Sequence, residues 1–406
     1  MSEIQQVVDR LARAIGRAVS IDDERLRLQY HSPHQGSLDQ ARIASILHRS
    51  VPAEVVEYVR SLGLHNATGA VRVPAKPEFG AHGRICVPIR HLSAMRGYLW
   101  IIDRDGSITP DELAQATGAA ERIALLLHRE QVAQEGERTR ERELLRDLFA
   151  ADQESRESAA ARLAVRGGQW WTVLVARPAA PAVPLTGLTS AFDAELVALR
   201  NRPGLAGALH LVHADHVVLV VVRPVKPPGD DVRAMAAAFR DAVRSAYQRG
   251  TNRADGGEPI IVGAGDPHER GVDALASYEQ ALMACRVAEA DAEVGDTAVW
   301  DECGIYRTLL GIEPAALRPE RLDPAVRRLL AHDADGVLAA TVERYLDSGA
   351  RIKATAERLN LHRTTLYYRI HRTEEITGLD LPNATDRLLL HLNLKLARLL
   401  THDPRR

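Results

Sequence analysis

The densest group of residues suited to contacting a polyanion lies near the end of the chain, between residues 352 and 377. Two short helices joined by a tight turn are predicted there, with Asn360 in the turn because Asn tolerates positive φ. In the second helix, small and apolar residues recur at helical spacing and share one side. These residues are Leu366, Ile370, Thr373 and Thr377. The opposite side carries polar, basic and aromatic residues, namely Thr364, Thr365, Tyr368, His371 and Arg372.

Positive charge is concentrated in the same stretch. From Arg351 to Arg372 there are six basic residues and a single acidic one, Glu357, whereas the whole chain is nearly balanced at 52 basic and 54 acidic residues. Such a local excess on a neutral protein predicts phosphate contact at this place. The alternative is an ordinary helical hairpin with a solvated polar face, and the local charge argues against it.

The wording of this stretch is specific. The run from Ala354 to Leu381, with LHRTTLYYRIHRTEEITGLDL at its centre, resembles the C-terminal DNA-binding domain of the PucR family of bacterial transcription regulators, also called CdaR-like. The helix pair also resembles the Fis-type helix-turn-helix, in which the first residues of the second helix meet the bases. The resemblance implies double-stranded operator DNA as the partner. The residues it implies for DNA contact are His362, Arg363, Thr364, Thr365, Tyr367, Tyr368, Arg369, His371 and Arg372.

Length and composition limit the number of domains and the classes of protein to which the chain can belong. A chain of 406 residues predicts two to four domains, and 46% hydrophobic residues suffice for real cores. We find no stretch of about eighteen apolar residues, so no membrane span is expected. The N-terminal helix lacks the apolar centre of a signal peptide. Three widely spaced cysteines, Cys86, Cys285 and Cys303, offer no metal spacing and fit a reducing cytoplasm. We therefore expect a cytoplasmic protein, nucleoid-associated when bound to DNA, with no metal and no cofactor.

Residues 1–130 are predicted to form an α/β sensor module. Its predicted elements are a first helix, two strands within 19–30, a helix near 38–62, strands at 69–74, 83–90 and 96–102, and a closing helix to about Arg129 that is capped by Thr109. The segment CVPIR…GYLWIID resembles a GAF domain, and that resemblance implies a small-molecule sensor or a dimerising module. Candidates for an effector pocket are Tyr30, His31, His82, Arg84, Tyr98 and Trp100. The alternative is that the aromatic residues only pack and that the histidines lie in surface loops.

Residues 131–150 predict a highly charged connecting helix. Opposite charges recur three residues apart, as in Glu135/Arg138 and Glu143/Arg146, and such pairs support an exposed helix. Apolar residues return only near its end, from Leu144 to Phe149. This helix either transmits a signal, with or without pairing in a dimer, or is merely solvated.

Residues 151–325 differ in sequence pattern from the charged helix before them. They predict the order β-α-β-β-α-β-α-β, a ferredoxin-like core with an extra unit. The run IIVGAGDPHERGVDALASYEQALMACRVAEA resembles the GGDEF-like middle domain of PucR/CdaR regulators. A diguanylate cyclase would carry Gly-Gly-Asp-Glu-Phe at the hairpin turn, but this chain has Ala214-Asp215-His216 there. We therefore expect no catalytic residues and a scaffold role. A phosphate contact by Gly263-Ala264-Gly265 is the weaker possibility.

Residues 326–406 are predicted to be an all-α, Fis-type helix-turn-helix domain. It is expected to begin with a helix over 335–346 and to end with one over 386–400. In the last helix, the inward side is expected to comprise Leu388, Leu389, Leu392, Leu396 and Leu399.

The chain is thus predicted to be a multidomain α+β regulator that binds operator DNA as a dimer or higher oligomer and responds to a small effector. A rival hypothesis is a cyclase-like or phosphodiesterase-like enzyme that uses the middle domain. A second rival is a ligand-binding module with a vestigial DNA domain, which the intact basic face contradicts.

Overall fold

A computed structural model describes residues 2–33, 53–164, 169–180, 183–252, 258–312 and 318–401. The chain forms two compact units, Met1–Thr139 and Arg140–Arg406. None of the helices that the structure describes combines the length and the apolar composition of a membrane span.

The first unit is built on an antiparallel sheet with the strand order β2-β1-β5-β4-β3. One face packs on α1 and on the first half of α3 through a large apolar core, and the other face carries a smaller cluster with α2. The elements are α1 (Glu3–Ile15), β1 (Val19–Asp22), β2 (Leu28–His31), α2 (Ala53–Ser61), β3 (Val71–Val73), β4 (Arg84–His91), β5 (Ala94–Ile102) and α3 (Pro110–Leu148). The part of the predicted 38–62 helix that precedes residue 53 lies outside the described residues.

Helix α3 is longer than predicted. A capping box starts it, because the Glu112 amide donates to Thr109 Oγ1 while Glu112 Oε2 accepts from the Thr109 amide at 2.7 Å. The helix does not stop near Arg129 but continues to Leu148. The chain offers no glycine cap or proline there, and the charged stretch itself favours helix.

The second unit contains a five-stranded sheet with the order β10-β9-β6-β8-β7. Only the β10–β9 pair is parallel, and the element order from β6 onward is the predicted one. The elements are α4 (Gln153–Ala164), β6 (Trp170–Pro178), α5 (Thr189–Leu199), β7 (Leu209–Val212), β8 (Val217–Arg223), α6 (Gly229–Thr251), β9 (Ile260–Ala264), α7 (Ala274–Ala290), β10 (Thr297–Val299) and α8 (Ile305–Leu310).

Both faces of this sheet are covered. Helices α5 and α6 bury one face, and α7 with α4 buries the other. The end of α3 belongs to the second core, where Leu145 and Leu148 are fully buried. Arg142 pairs with Asp193 at 2.5 Å and reinforces the contact. The connecting helix is therefore firmly anchored at its end, where apolar residues return in the sequence.

Five helices complete the second unit: α9 (Pro324–His332), α10 (Val337–Asp347), α11 (Ile352–Arg358), α12 (Arg363–Thr377) and α13 (Ala384–Thr401). The C-terminal core begins one helix earlier than predicted, since Val326 and Leu329 of α9 belong to it. The predicted inward side of the last helix was wrong in part. Leu388 is 59% exposed, whereas Leu390 and Leu394 are buried.

Candidate nucleic-acid interface

Helix α12 is held by the apolar core of the C-terminal domain. Its Leu366 is fully buried, and Leu366 and Ile370 pack in one cluster with residues of α9, α10, α11 and α13. Thr373 and Thr377 complete the buried side, as the helical spacing predicts. Burying this side fixes the opposite side of α12 outward.

The turn between α11 and α12 has the conformation that its sequence predicts. Asn360 adopts a φ of 50°, in the left-handed region. The Leu361 amide donates to the Ala356 carbonyl at 2.9 Å and closes the turn. Buried Thr355 shares a 2.6 Å hydrogen bond with Ser348, which ties α11 to the end of α10. The two helices of the motif therefore have a fixed relation.

Both ends of α12 are capped. His362 is the N-cap, and its Nδ1 lies 3.4 Å from the Thr364 amide and 2.8 Å from the Thr364 hydroxyl. Gly378 ends the helix with a φ of 72°. Arg328 of α9 donates to the carbonyl oxygen of Thr377 at 2.6 Å and satisfies a carbonyl at that end.

The outward face of α12 is aromatic and basic. Tyr367 and Tyr368 are 59% and 68% exposed, which is unusual for large side chains without a partner surface. Residues 362–364, His371 and Arg372 are exposed on the same helix. Two of the predicted contact residues, Thr365 and Arg369, are only half exposed. Arg369 donates to the Thr341 hydroxyl at 2.9 Å, so its guanidinium contacts α10.

Charge changes along this face. No ion pair involves Arg363 in the part of the chain that the structure describes, so the first turn presents a free guanidinium. Near the other end, Arg372 pairs with Glu375 at 2.7 Å, and His371 lies 3.6 Å from Glu374 and from Glu375. The hydrogen bond from Arg372 lowers the pKa of Glu375. The first turn of α12 is thus the best place for an anion.

The side of this domain that faces the middle domain is also charged, but it is buried. Lys395 of α13 is 7% exposed and lies 2.9 Å from Glu343, 3.1 Å from Asp347 and 3.4 Å from Asp291. Burial alone would lower the pKa of Lys395, but Glu343 and Asp347 raise it. Arg398 pairs with Glu343 at 2.6 Å. No local pattern in the sequence indicates this network.

The six effector-pocket candidates do not form one group. Tyr98 and Trp100 share one sheet face, with ring centroids 6.2 Å apart, whereas Tyr30 packs against the core on the other face. His31 is exposed on β2. Arg84 donates to the His82 carbonyl, and both belong to a third group in which His82 contacts Arg104.

The structure adds residues that the sequence did not indicate. A cavity of about 260 Å³ is lined by Tyr98 together with Glu24, Arg25, Leu26, Val56, Val59, Arg60 and His65. Trp100 Nε1 is buried and has no hydrogen-bond partner within the described residues. The residues that line the cavity come from three separate segments of the chain, and no local sequence pattern connects them.

The middle-domain hairpin turns at Ala214-Asp215-His216, as predicted. Asp215 is mostly exposed and pairs with His216, whose second ring nitrogen lies 2.8 Å from the Tyr278 hydroxyl. Burial lowers the pKa of His216. No metal-binding group of three or more His, Cys, Asp or Glu side chains occurs in the described ranges.

Gly263 in β9 and Gly265 directly after it have a packing role. A Cβ on Gly263 would lie 2.0 Å from the Ala281 carbonyl oxygen, and one on Gly265 would lie 1.9 Å from that of Ser277. Both glycines let β9 approach α7 closely. This space holds a helix, so the suggested phosphate contact at 263–265 is wrong.

Two helices joined by a tight turn, the second with an exposed basic and aromatic face, form the arrangement of a helix-turn-helix. Residues 338–396 match the family model described as the PucR C-terminal helix-turn-helix domain. Over nearly its whole length the chain is similar to two proteins of Bacillus subtilis strain 168. It is 20% identical to the DNA-binding transcriptional activator AdeR, over 97% of this chain and 92% of that protein. It is 23% identical to the proline-responsive transcriptional activator PutR, over 98% and 97%.

A shorter stretch is more similar to the carbohydrate diacid regulator of Escherichia coli K12. The identity is 44% over 69 residues, which is 17% of this chain and 18% of that protein. The chain is a PucR/CdaR-like, DNA-binding transcription regulator.

Proposed function

We propose that this regulator binds operator DNA in the cytoplasm as a dimer or higher oligomer and places α12 of two copies in successive major grooves. The observation that carries the proposal is the outward face of α12, where Arg363 in the first turn has no ion pair within the described ranges. In helix-turn-helix complexes the N-terminal residues of the second helix contact base edges. Arg363 is therefore assigned to base reading, because Arg pairing with guanine is the commonest specific contact.

The other exposed residues of α12 are assigned to the DNA backbone. Tyrosine and threonine hydroxyls commonly bond phosphate oxygens and fix the register of a protein on the duplex. Tyr367 and Tyr368 are long enough to reach outward from the helix, and Thr364 stands beside Arg363. Thr365 and Arg369 contribute less in this proposal, because the chain partly covers them.

Selection of bound duplexes from a random library with the full chain tests this proposal. Enriched sequences should contain two related half-sites whose centres lie about 34–36 Å apart along the helix axis, or a multiple of that distance. Enrichment of a lone half-site, bound by one chain, would contradict the dimer. Absence of any enrichment would contradict sequence-specific binding itself.

The first unit is assigned the role of a GAF-like sensor for a small effector. Its support is the cavity beside Tyr98, the buried Trp100 Nε1, which lacks a hydrogen-bond partner among the described residues, and the name of PutR, a relative described as proline-responsive. A thermal-shift screen of small metabolites on the full chain tests the assignment. Effectors should raise the melting temperature of the wild type but not that of Arg60→Gln, while Arg104→Gln, outside the cavity, should respond normally. An equal response from all three proteins would remove the cavity as the site.

The middle domain is proposed to be a GGDEF-like scaffold without catalytic activity. Phosphoryl transfer to or from a nucleotide uses metal-held phosphates, and the hairpin turn offers Asp215 already paired with His216. Incubation with GTP or a cyclic dinucleotide and Mg²⁺ should therefore leave the nucleotide unchanged. Mg²⁺-dependent product that disappears in Asp215→Asn would favour the enzyme hypothesis instead.

A further inference from the structure

A short acidic loop of the middle domain reaches the helix-turn-helix domain. The loop follows α7, and two of its residues carry the contact, Asp291 and Glu293. Asp291 is 5% exposed, accepts a 2.9 Å hydrogen bond from the Tyr306 hydroxyl and faces Lys395. Glu293 forms ion pairs with Arg344 and with Arg358, the latter at 2.6 Å.

The carboxylates of Asp291 and Glu293 have different roles. Asp291 sits in the buried network and fixes the domains against each other, because a buried ion pair is costly to break. The Glu293–Arg358 pair lies at the edge, where the Arg358 side chain is 52% exposed and that of Glu293 is 32% exposed. Pairs with that much solvent contact contribute about 0–1 kcal/mol. This pair is therefore easily exchanged for another anion.

Arg358 occupies a position where DNA would supply that anion. It is the last residue of α11, the first helix of the motif, and the turn to α12 follows at once. In helix-turn-helix docking this first helix crosses the phosphate backbone while the second enters the groove. An Arg–phosphate contact is charge-assisted and often bidentate, so it is stronger than an exposed carboxylate pair.

Glu293 also has a second cation to keep. Arg344 of α10 is mostly buried and remains beside Glu293 if Arg358 turns away. Releasing Arg358 therefore does not leave the Glu293 carboxylate without a partner, which keeps the exchange inexpensive. The arrangement suits a contact that is made in the free protein and broken on DNA.

We propose that Arg358 is an additional phosphate-contacting residue and that Glu293 is an internal competitor that holds it until DNA displaces it. The inference rests on the proposed function, in which the helix-turn-helix engages a duplex. It gives the middle domain a direct influence on DNA affinity, since any shift of the acidic loop changes how tightly Arg358 is held.

Anisotropy titrations of a short, fluorescent random-sequence duplex with the full chain test the inference. Between about 50 and 200 mM salt, Glu293→Gln should bind roughly 3- to 10-fold tighter, with a slope of log K against log salt like that of the wild type, because Arg358 contacts phosphate in both complexes. Arg358→Gln should bind more weakly with a slope about one unit shallower. The double variant should behave as Arg358→Gln alone. The matched control is Asp296→Asn, which removes an exposed acid three residues further along.

Unchanged or weaker binding by a folded Glu293→Gln would overturn the inference. So would an equal gain in Asp296→Asn, which would indicate a general charge effect, or a gain that persists in the double variant. Arg358→Gln alone decides the matter if Glu293→Gln does not fold, because an unaltered slope would place Arg358 away from DNA. A wild type that binds no duplex would overturn the proposed function itself, and this inference with it.

Discussion

The two sides of the helix-turn-helix domain use basic residues in opposite ways. On the outward side of α12, Arg363 and Arg372 are exposed, and only Arg372 has a carboxylate partner among the described residues, namely Glu375. On the side that faces the middle domain, Lys395 and Arg398 are neutralised by Glu343 and its neighbouring carboxylates. One side can bind phosphate, and the other holds the domain in place.

Burial separates these two roles. A charge removed from water must be paired and hydrogen-bonded, so the inner cations have fixed partners and fixed positions. An exposed cation loses little on exchanging water or a weak carboxylate partner for phosphate. Arg358 lies between the two situations, half exposed and yet paired across the domains. Single substitutions on each side test this difference between the buried and the exposed cations.

The largest effect is expected on the buried side. Lys395→Met keeps the length of the side chain but leaves three carboxylates without their common cation. Breaking a buried pair by removing one partner costs about 3–5 kcal/mol. The free energy of unfolding of the full chain, measured by urea titration, should fall by that amount. Lys353→Met, on the exposed side of α11, should stay within about 0.5 kcal/mol of the wild type. Equal effects of the two substitutions would contradict the contrast.

A smaller effect, on DNA binding and not on stability, is expected for Arg363. Arg363→Ala should lose roughly 1–3 kcal/mol of specific binding and relax the preference at one base position. Competition titrations with duplexes selected by the wild type provide the measurement. Arg162→Ala, which removes an exposed arginine of the middle domain, is the control. Wild-type affinity and selectivity in Arg363→Ala would reject its assignment to base reading.

The orientation of α12 and the turn before it were predictable from the sequence because both depend on local patterns. Helical spacing identified Leu366, Ile370, Thr373 and Thr377 as the buried side of α12, and the structure confirms all four. A side chain that tolerates positive φ marked the turn at Asn360. Each of these inferences needs only neighbours within one or two turns of helix.

The last helix shows where local pattern fails. Helix α13 is rich in leucine, so several sides of it look apolar, and the sequence favoured the side that includes Leu388. The structure buries Leu390 and Leu394, which the prediction left out, in the C-terminal core, and it buries Leu399, which the prediction included, in the core of the middle domain. The buried side of α13 is determined by packing against two domains, the C-terminal domain and the middle domain. The sequence of the helix alone contains no information about either contact.

The network around Lys395 and the cavity of the first unit could not be predicted from the sequence, for the same reason. Lys395 reads as an ordinary surface lysine, and its partner Asp291 precedes it by 104 residues. In the first unit, Tyr30 and Tyr98 looked equivalent, but strand pairing puts them on opposite faces of the sheet. Arg60 joined the cavity through a helix that no motif connects to β5. Such convergence depends on tertiary pairing, which spacing along the chain does not encode.

A pH-dependent effect is expected from Asp347, at the rim of the inner network. Burial alone would raise its pKa, but hydrogen bonds from His391 and Lys395 outweigh burial and lower the pKa from 3.8 to about 2. A lowered folded-state pKa stabilises the protein above the unfolded value, and this contribution is lost as pH falls through the folded one. Unfolding titrations from about pH 5 to pH 2 should therefore show a loss of stability in the wild type that is smaller in Asp347→Asn. The effect is moderated because solvent partly screens the carboxylate. Parallel pH profiles of the two proteins would contradict the assignment.

The smallest effect is expected for Arg372, on the outward side but near the acidic end of α12. Its pair with Glu375 is about half exposed and contributes little to stability, so it should yield to phosphate. Arg372→Ala should weaken binding to all duplexes about equally and flatten the slope of log K against log salt by about one unit.

Glu375→Gln is the matched control, and it is expected to change DNA affinity in the opposite direction. It removes the carboxylate that competes for Arg372 and also lies 3.6 Å from His371, so binding should become tighter without any change in base preference. If Arg372→Ala leaves the slope unaltered while Glu375→Gln still tightens binding, the carboxylate acts only through general repulsion of the duplex. Arg372 would then belong to the solvated part of the helix, and the phosphate-contacting surface would end nearer to Tyr368.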